Sequence, residues 1–284
     1  MKHIKNIVIR LFFSVIFMPK MLSTAVAVRG SGEVLGSKIL SKNGNDFKIM
    51  STNSIGTTGD NEADYRFLII GGTHGDEIMT SEFVAWLYAR TASGKGRFAH
   101  MGDNVVFDFI PVLNVDNFGK SRYNHNEVNL NRNYSVNWGR SAERFGDMPF
   151  SENETKFIKA LYDKFDYTAA ADVHGYIDWI VAPSLPHKMA SHANFDNTKK
   201  YTQWLGALKK NLHKLPGDKY QVLTDMGLND GGAFEDWSFW QRDTPAFCLE
   251  LSENITDKDK EAKYKMYESY LFKMFREAIK MKKV

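Results

Sequence analysis

The chain is poor in cysteine and in long apolar stretches, and both shortages exclude protein classes. Its 284 residues include one cysteine, Cys248, so an intramolecular disulfide and a cysteine-based structural zinc site are excluded. The apolar stretch 7–18 contains Arg10 and is shorter than the roughly 20 residues of a membrane-spanning helix, so we predict no stable span. Hydrophobic residues make up 43% and charged residues 25%, which is typical of a globular chain that buries a full core.

Acidic residues are absent from the first 27 positions. This segment carries four basic residues, Lys2, Lys5, Arg10 and Lys20, so its removal changes the formal charge from +3 to −1. A basic start, the apolar run 11–18 and the small residues 25–27 predict a signal peptide over 1–27, and export to the periplasm or beyond. Lys20 fits this prediction poorly. The alternatives are an uncleaved anchor or a disordered leader. If the segment is not a signal peptide, the protein is expected to be cytoplasmic.

Strands alternate with helices along the rest of the chain. Apolar runs bounded by glycine, proline or polar residues predict strands at 66–70, 104–111, 167–173, 177–183 and 245–251, with shorter β-like pieces at 37–41 and 47–51. Helical periodicity and capping residues predict helices at 78–93, 151–165, 194–215 and 258–282. We therefore predict an α/β fold over 28–284, a single domain with a mixed sheet flanked by helices. The net charge is not that of a nucleic-acid-binding domain, so no nucleic-acid partner is expected.

Two histidines stand where predicted strands end. His74 and Glu77 follow the strand 66–70 and its two glycines, and His174 follows the strand 167–173. Ligands bind open α/β sheets at such strand ends, and two imidazoles with one carboxylate are ordinary ligands of a catalytic zinc. A structural, hydrogen-bonded imidazole is the alternative for each histidine taken alone.

Other polar residues complete a possible site. Arg122, Asn131 and Arg132 lie in the long Asn-rich loop 112–150, and a guanidinium matches the geometry of a carboxylate. The alternative is a loop tied by asparagine side chains, with both arginines on the surface. Glu250 interrupts the apolar strand 245–251, where burial would raise its pKa toward that of a general base. An edge strand with Glu250 in solvent is the alternative.

Together these motifs resemble a known family, the zinc carboxypeptidases of the M14 type. The resemblance covers about residues 32–253, and the motifs occur in the family's order: His74-x-x-Glu77, Arg122-x-Asn124, Asn131-Arg132-Asn133, Asp172-x-His174-Gly-Tyr176, Gly231-Gly232, Asp236-Trp237 and Glu250-Leu251. The short spacing from Arg122 to Asn131 and the opening 32–37 are most similar to the small bacterial branch that contains the murein peptide amidases, or γ-D-glutamyl-meso-diaminopimelate peptidases.

The resemblance implies a role for each matching residue. His74, Glu77 and His174 would bind one zinc ion, and Asn131 with Arg132 would hold the carboxylate at the end of the substrate. Arg122 would polarise the scissile carbonyl, while Glu250 would take a proton from the attacking water and return it to the leaving amine. Asp76 and Asp172 stand beside the ligands; we interpret them as supports, and a second metal is the alternative.

Some positions depart from the family pattern. Asn129 stands where the family usually has an aspartate that supports a zinc-bound histidine. The family's mobile tyrosine is missing from residues 226–229, and Tyr176 is the nearest candidate for contact with the substrate. Glu235 falls at the floor of the family's specificity pocket, where an acid favours a cationic group; a surface glutamate is the alternative. Compared with the family, the chain has one extra residue between Gly231-Gly232 and Asp236-Trp237, which changes the alignment of the pocket floor.

The resemblance leads to three hypotheses about function. The first is zinc-dependent hydrolysis of a peptide or amide bond next to a free C-terminal carboxylate in peptidoglycan stem peptides, with diaminopimelate near Glu235. The second keeps the chemistry and changes the substrate, to peptides ending in Lys or Arg or to N-acyl amino acids, as in the aspartoacylases. The third is a non-catalytic module that binds wall peptides. The oligomeric state stays open.

Overall fold

A single mixed sheet organises the part of the chain that the computed structural model describes, residues 26–52, 63–102, 104–185, 197–224 and 231–283. Its strands within these ranges are β1 (Val26–Gly30), β2 (Lys48–Thr52), β3 (Tyr65–Ile70), β4 (Val105–Ile110), β5 (Ala169–Gly175), β6 (Trp179–Val181), β7 (Gln221–Leu223) and β8 (Ala246–Leu251). The helices are α1 (Ser31–Leu35), α2 (Ile78–Ala92), α3 (Asn153–Lys164), α4 (Thr198–Lys210), α5 (Phe234–Asp236), which continues as a π-helical turn Trp237–Gln241, and α6 (Lys260–Lys282). The predicted mixed sheet flanked by helices is confirmed.

The centre of the sheet is parallel. The strand order is β1-β2-β4-β3-β5-β8-β6-β7, and β4, β3, β5 and β8 run in one direction. The outer pairs β1–β2, β2–β4 and β6–β8 are antiparallel. The carboxyl ends of β3, β5 and β8 therefore meet at one edge, and the residues that follow or end these strands gather there.

Helices cover both faces of the sheet. Successive residues of a strand point to opposite faces, so each strand packs against helices on both sides. On one face Phe67 stacks on Phe275 of α6, with ring centroids 4.5 Å apart. On the other face Arg66 forms a buried ion pair with Asp108 (Nε to Oδ2, 2.5 Å), and its guanidinium lies 3.7 Å from the ring centroid of Phe165, just after α3. The apolar runs that predicted β3 and β4 are thus buried on both faces.

Some elements differ from the sequence-based predictions. Residues 37–41 form no strand and contribute one isolated bridge, Leu40 to Asp46. The turn-rich stretch before Trp237 contains α5, because the Phe234 and Trp237 rings pack on Tyr134 at 5.5 and 5.3 Å. β1 and β7 carry no strong strand pattern and are held by pairing with β2 and β6.

The predicted signal peptide, residues 1–27, lies outside the described residues except for the first two positions of β1. Within the described ranges, no helix combines the length and apolar character that a membrane span requires.

Candidate active site

The three predicted metal ligands converge at the carboxyl edge of the sheet. His74 and Glu77 lie in the turn between β3 and α2, and His174 lies near the end of β5, which pairs with β3. His74 Nδ1 is 2.7 Å from Glu77 Oε1 and 3.1 Å from His174 Nδ1. His174 Nδ1 is 3.4 Å from Glu77 Oε2. All three side chains are buried, so the nitrogen and oxygen atoms face one another out of bulk water.

Each ligand is held from behind by a polar contact. The second ring nitrogen of His74 lies 3.0 Å from Asn129 Oδ1, and that of His174 lies 2.9 Å from Asp172 Oδ2. Glu77 Oε2 accepts a hydrogen bond from the backbone N–H of residue 175 at 3.0 Å. Because the outer nitrogens are engaged, both Nδ1 atoms are left to face a metal. Asp172 is thus a support, and Asp76 is exposed.

The electrostatics of the three side chains favour a cation between them. Burial opposes charge on Glu77, but hydrogen bonds from His174 and His74 outweigh it and hold the pKa of the carboxylate well below its ordinary value. Burial likewise opposes charge on His174, but Asp172 and Glu77 raise the pKa of its ring well above the ordinary value. Two imidazole nitrogens and one carboxylate within reach of a single point fit a catalytic zinc, for which they are a common donor set.

Glu250 lies beside these ligands on β8. It is the register partner of His174, and its Oε2 is buried without a hydrogen bond from any described residue. Burial raises its pKa to about 7, where a carboxylate can take up and release a proton near neutral pH. Because β8 lies between β5 and β6, the alternative of a solvent-facing glutamate on an edge strand is wrong. The buried Cys248 thiol lies 3.9 Å from Glu250 Oε1, and burial raises its pKa, so it stays protonated.

The two arginines of the long loop approach the site from outside the sheet. Arg122 Nη1 lies 3.3 Å from Glu77 Oε1, with 36% of its side chain exposed, and Arg132 is more buried, with 11% exposed. Between them lies Glu143, which sequence reasoning missed. Its Oε2 accepts from Arg122 Nε at 3.2 Å, and its Oε1 lies 3.8 Å from Arg132 Nη2. An acidic residue in an irregular loop carries no pattern that marks it as part of a site.

Contacts with α5 join the loop to the predicted pocket floor. Asn131 Oδ1 accepts from the Phe234 backbone N–H at 2.8 Å, which leaves its Nδ2 available to a substrate. Gly232 has φ of +82° and packs on the carbonyl of Arg132, where a Cβ would clash. Glu235 is 1% exposed, so the alternative of a surface glutamate is wrong.

Two further predictions concern tyrosine. The Tyr176 hydroxyl accepts from the Met79 backbone N–H at 3.2 Å, so the start of α2 holds this ring beside the metal ligands. Its contact with a substrate stays a prediction. Residues 226–229, where the family's mobile tyrosine is missing, lie outside the described residues.

Comparisons with known proteins identify the family. The model of the zinc carboxypeptidase family matches residues 38–280. Carboxypeptidase SOL1 of Arabidopsis thaliana is 32% identical over 121 residues, which are 41% of this chain and 24% of the plant protein. The chain therefore matches less than two thirds of that relative.

Solved structures share the fold at low identity. Carboxypeptidase A from Helicoverpa armigera superposes with a TM-score of 0.66 at 18% identity, covering 89% of this chain and 68% of that one. Murein-tripeptide amidase MpaA from Escherichia coli O157 superposes with a TM-score of 0.51 at 19% identity, covering 87% of this chain and 97% of that one. The family match over most of the sequence and a donor set that fits zinc lead to one conclusion: the chain belongs to the zinc carboxypeptidase family of peptide-bond hydrolases.

Proposed function

We propose that this protein hydrolyses a peptide or amide bond next to a free C-terminal carboxylate, and that its substrates are stem peptides of peptidoglycan. One observation carries the first part. Three buried ligand atoms, a carboxylate oxygen of Glu250 that has no hydrogen-bond partner among the described residues, and the guanidinium of Arg122 surround the same small volume. Hydrolysis of an amide needs these functions together: a Lewis acid, a base and an oxyanion partner.

Binding of the substrate falls to the loop residues. Arg132 and the Nδ2 of Asn131 hold the terminal carboxylate, since a guanidinium and an amide offer paired N–H donors in fixed directions. Arg122, which already lies next to Glu77, turns its guanidinium to the carbonyl oxygen of the scissile bond. Negative charge grows on that oxygen during the reaction, so a cation at this position stabilises the transition state more than the ground state.

Proton transfer falls to Glu250. Zinc, when bound by His74, Glu77 and His174, supplies Lewis acidity that polarises the carbonyl and activates water. Glu250 takes the proton of the attacking water and then delivers it to the nitrogen of the leaving group. Its carboxylate suits both steps, because its Oε2 has no hydrogen bond from any described residue and is left to take up and release a proton. No nucleophilic serine or cysteine is required.

Two observations support a peptidoglycan substrate. The chain superposes on 97% of the murein-tripeptide amidase with a TM-score of 0.51, so the two proteins share a fold. Glu235 is a buried acid on the short helix that carries the contact to Asn131, and an acid there suits the amino end of diaminopimelate. A C-terminal lysine or arginine has similar charge and is the competing substrate class.

Mass spectrometry of digested muropeptides tests the proposal. We expect the zinc-loaded protein to release products at the γ-D-glutamyl–diaminopimelate bond, and to lose this activity with chelator. A parallel panel contains peptides ending in Lys, Arg or Ala, and N-acyl amino acids. Faster turnover of any of these substrates than of muropeptides would replace the peptidoglycan assignment. If the zinc-loaded protein hydrolysed none of the substrates, the proposal that it is an enzyme would be refuted.

We also propose that the protein is exported after cleavage behind Ala27. Strand β1 starts at Val26, and Val28, Arg29 and Gly30 pair with β2, so cleavage keeps three of its five register pairs. Export would bring the enzyme to the compartment that contains peptidoglycan. Mass spectrometry of the mature amino terminus, with fractionation of cells, tests this. A full-length cytoplasmic protein would contradict it.

A further inference from the structure

Glu143 lies one hydrogen bond away from a residue that supports the metal site. Its Oε2 accepts a hydrogen bond from Asn129 Nδ2 at 2.7 Å, in addition to the contact with Arg122. Glu143 is 29% exposed, whereas Asn129 is fully buried. The backbone N–H of Glu143 donates to Ser141 Oγ at 3.0 Å, which fixes the turn that presents the carboxylate. The carboxylate therefore reaches from the loop surface into the interior.

Asn129 passes this contact on to His74. Its Oδ1 lies 3.0 Å from His74 Nε2 and accepts from the Asn131 backbone N–H, also at 3.0 Å. Rotation of the amide by half a turn would set Nδ2 against the N–H of Asn131 and Oδ1 against the carboxylate of Glu143. Both contacts would then be repulsive, so the amide has one orientation. His74 must donate from Nε2, so Nδ1 is the nitrogen left for a metal, which would displace the proton that Nδ1 now directs at Glu77 Oε1 at 2.7 Å.

The two histidines of the site are thus supported in different ways. Asp172 contacts the outer nitrogen of His174 directly, at 2.9 Å. His74 meets a neutral amide instead, and the nearest carboxylate behind that amide belongs to Glu143. A carboxylate behind a ligating imidazole fixes its tautomer and strengthens it as a ligand. A buried amide by itself supplies no charge, and its N–H₂ would lose its acceptor without Glu143.

We infer that Glu143 is a positioning residue for the metal site, which acts through Asn129 to orient His74. Together, Asn129 and Glu143 take the place of the single carboxylate that contacts a metal-bound histidine directly. The inference rests on the proposed role of His74 as a zinc ligand. This role explains why an asparagine can stand at position 129: the negative charge lies on Glu143, one hydrogen bond farther from His74. It also means that residues 129 and 143 act as a unit.

Glu143 also approaches Arg122 and Arg132, so its loss would alter substrate binding as well as the metal site. The test must therefore not depend on substrate. We choose the equilibrium dissociation constant of zinc, measured by competition with a chromogenic chelator, for the full chain. Circular dichroism and thermal unfolding of each variant verify that the fold is retained.

Four variants and the wild type form the test. E143Q should weaken zinc binding by about tenfold or more, the range found for lost supports of metal ligands. E127Q is the matched control, because Glu127 lies in the same loop, is 70% exposed and pairs with Arg144 away from His74; its zinc affinity should equal that of the wild type. N129D alone should not tighten binding, because it sets two carboxylates in contact.

The double variant N129D/E143Q gives the decisive result. The amide introduced at position 143 can donate to the carboxylate introduced at position 129, so the two groups exchange places along the chain of contacts. The direct carboxylate should then restore zinc affinity to within about threefold of the wild type, and the effects of the two changes should be strongly non-additive. Wild-type zinc affinity in E143Q, or no recovery in the double variant, would overturn the inference. Failure of the wild type itself to bind zinc would instead refute the proposed function.

Discussion

His174 and Glu250 are direct register partners on the parallel strands β5 and β8. One side chain is a predicted metal ligand and the other a predicted base, and the hydrogen bonds of the two strands set their separation. The base therefore does not depend on a mobile loop for its position. The role of Glu250 can therefore be tested separately from metal binding, because a substitution that neutralises its carboxylate leaves β8 in place.

Glu250→Gln should lower kcat by about 10²–10⁴-fold, which is the usual contribution of a positioned acid or base. The amide cannot accept the proton of water, yet it has almost the same shape. Zinc content, measured by mass spectrometry of the metal, should stay at the wild-type level. The matched control is Glu253→Gln, an exposed glutamate just after the same strand, which should leave kcat unchanged. An active E250Q enzyme would contradict the assignment.

Arg132→Ala should remove the preference for a free terminal carboxylate. We expect kcat/KM for a carboxylate-ended peptide to fall by about tenfold to a hundredfold, the value of a charged hydrogen bond of roughly 1.5–3 kcal/mol. The same peptide with a terminal amide should be cleaved equally slowly by both enzymes. Arg140→Ala, at an exposed position of the same loop, serves as the control. An equal loss on both peptides would show that Arg132 does not bind the carboxylate.

Glu154 at the start of α3 should make stability depend on pH. Burial raises its pKa to about 7 from 4.5, so between these pH values the folded chain binds more protons than the unfolded chain. The resulting stabilisation is present below pH 4.5 and is lost as the pH rises through 7. As the pH rises from 4.5 to 8, the free energy of unfolding of Glu154→Gln should therefore increase by about 3 kcal/mol relative to that of the wild type.

Urea unfolding of both proteins across this range measures the effect. The difference between the two free energies of unfolding cancels the contributions of the titrating groups that do not interact with Glu154. Curves that stay parallel from pH 4.5 to 8 would show that Glu154 has an ordinary pKa in the folded protein.

Asp108→Ala should destabilise the fold by about 3–5 kcal/mol, because it leaves the buried charge of Arg66 without its partner. Asp108 is fully buried and also accepts hydrogen bonds from Ser51 at 2.6 Å and from Tyr167 at 2.9 Å. Asp257→Ala removes a fully exposed carboxylate and should change stability by less than about 0.5 kcal/mol. Urea midpoints compare the two variants, and equal midpoints would refute the prediction.

The parts of the site that sequence predicts best are those that strand ends determine. His74 and His174 follow apolar runs whose length and glycine or polar boundaries are local properties, and Glu250 is conspicuous as a charge within such a run. Parallel pairing then brings these positions to one edge without further information. The order of the strands and the register of β5 against β8 are long-range facts that no local pattern contains.

The parts that sequence misses depend on contacts between distant segments. Glu143 has no periodic neighbours, and only the folding of the loop brings it to Asn129. The residues before Trp237 resemble a turn because of their glycines, but packing on Tyr134 makes them helical. The sequence Ser-Glu-Asn-Glu at 151–154 predicts a capping box at the start of α3. In the structure the Ser151 hydroxyl instead donates to Glu152 Oε1 at 2.6 Å.

The central claim is that His74, Glu77 and His174 hold one zinc ion at which Glu250 activates water. It is tested most directly by adding zinc stepwise to the metal-free protein while hydrolysis of a carboxylate-ended peptide is followed. We predict that activity rises in proportion to bound zinc and reaches its plateau at one equivalent, and that E250Q binds the same equivalent without gaining activity. Activity in the metal-free protein, a plateau at two equivalents, or turnover by E250Q would contradict the claim.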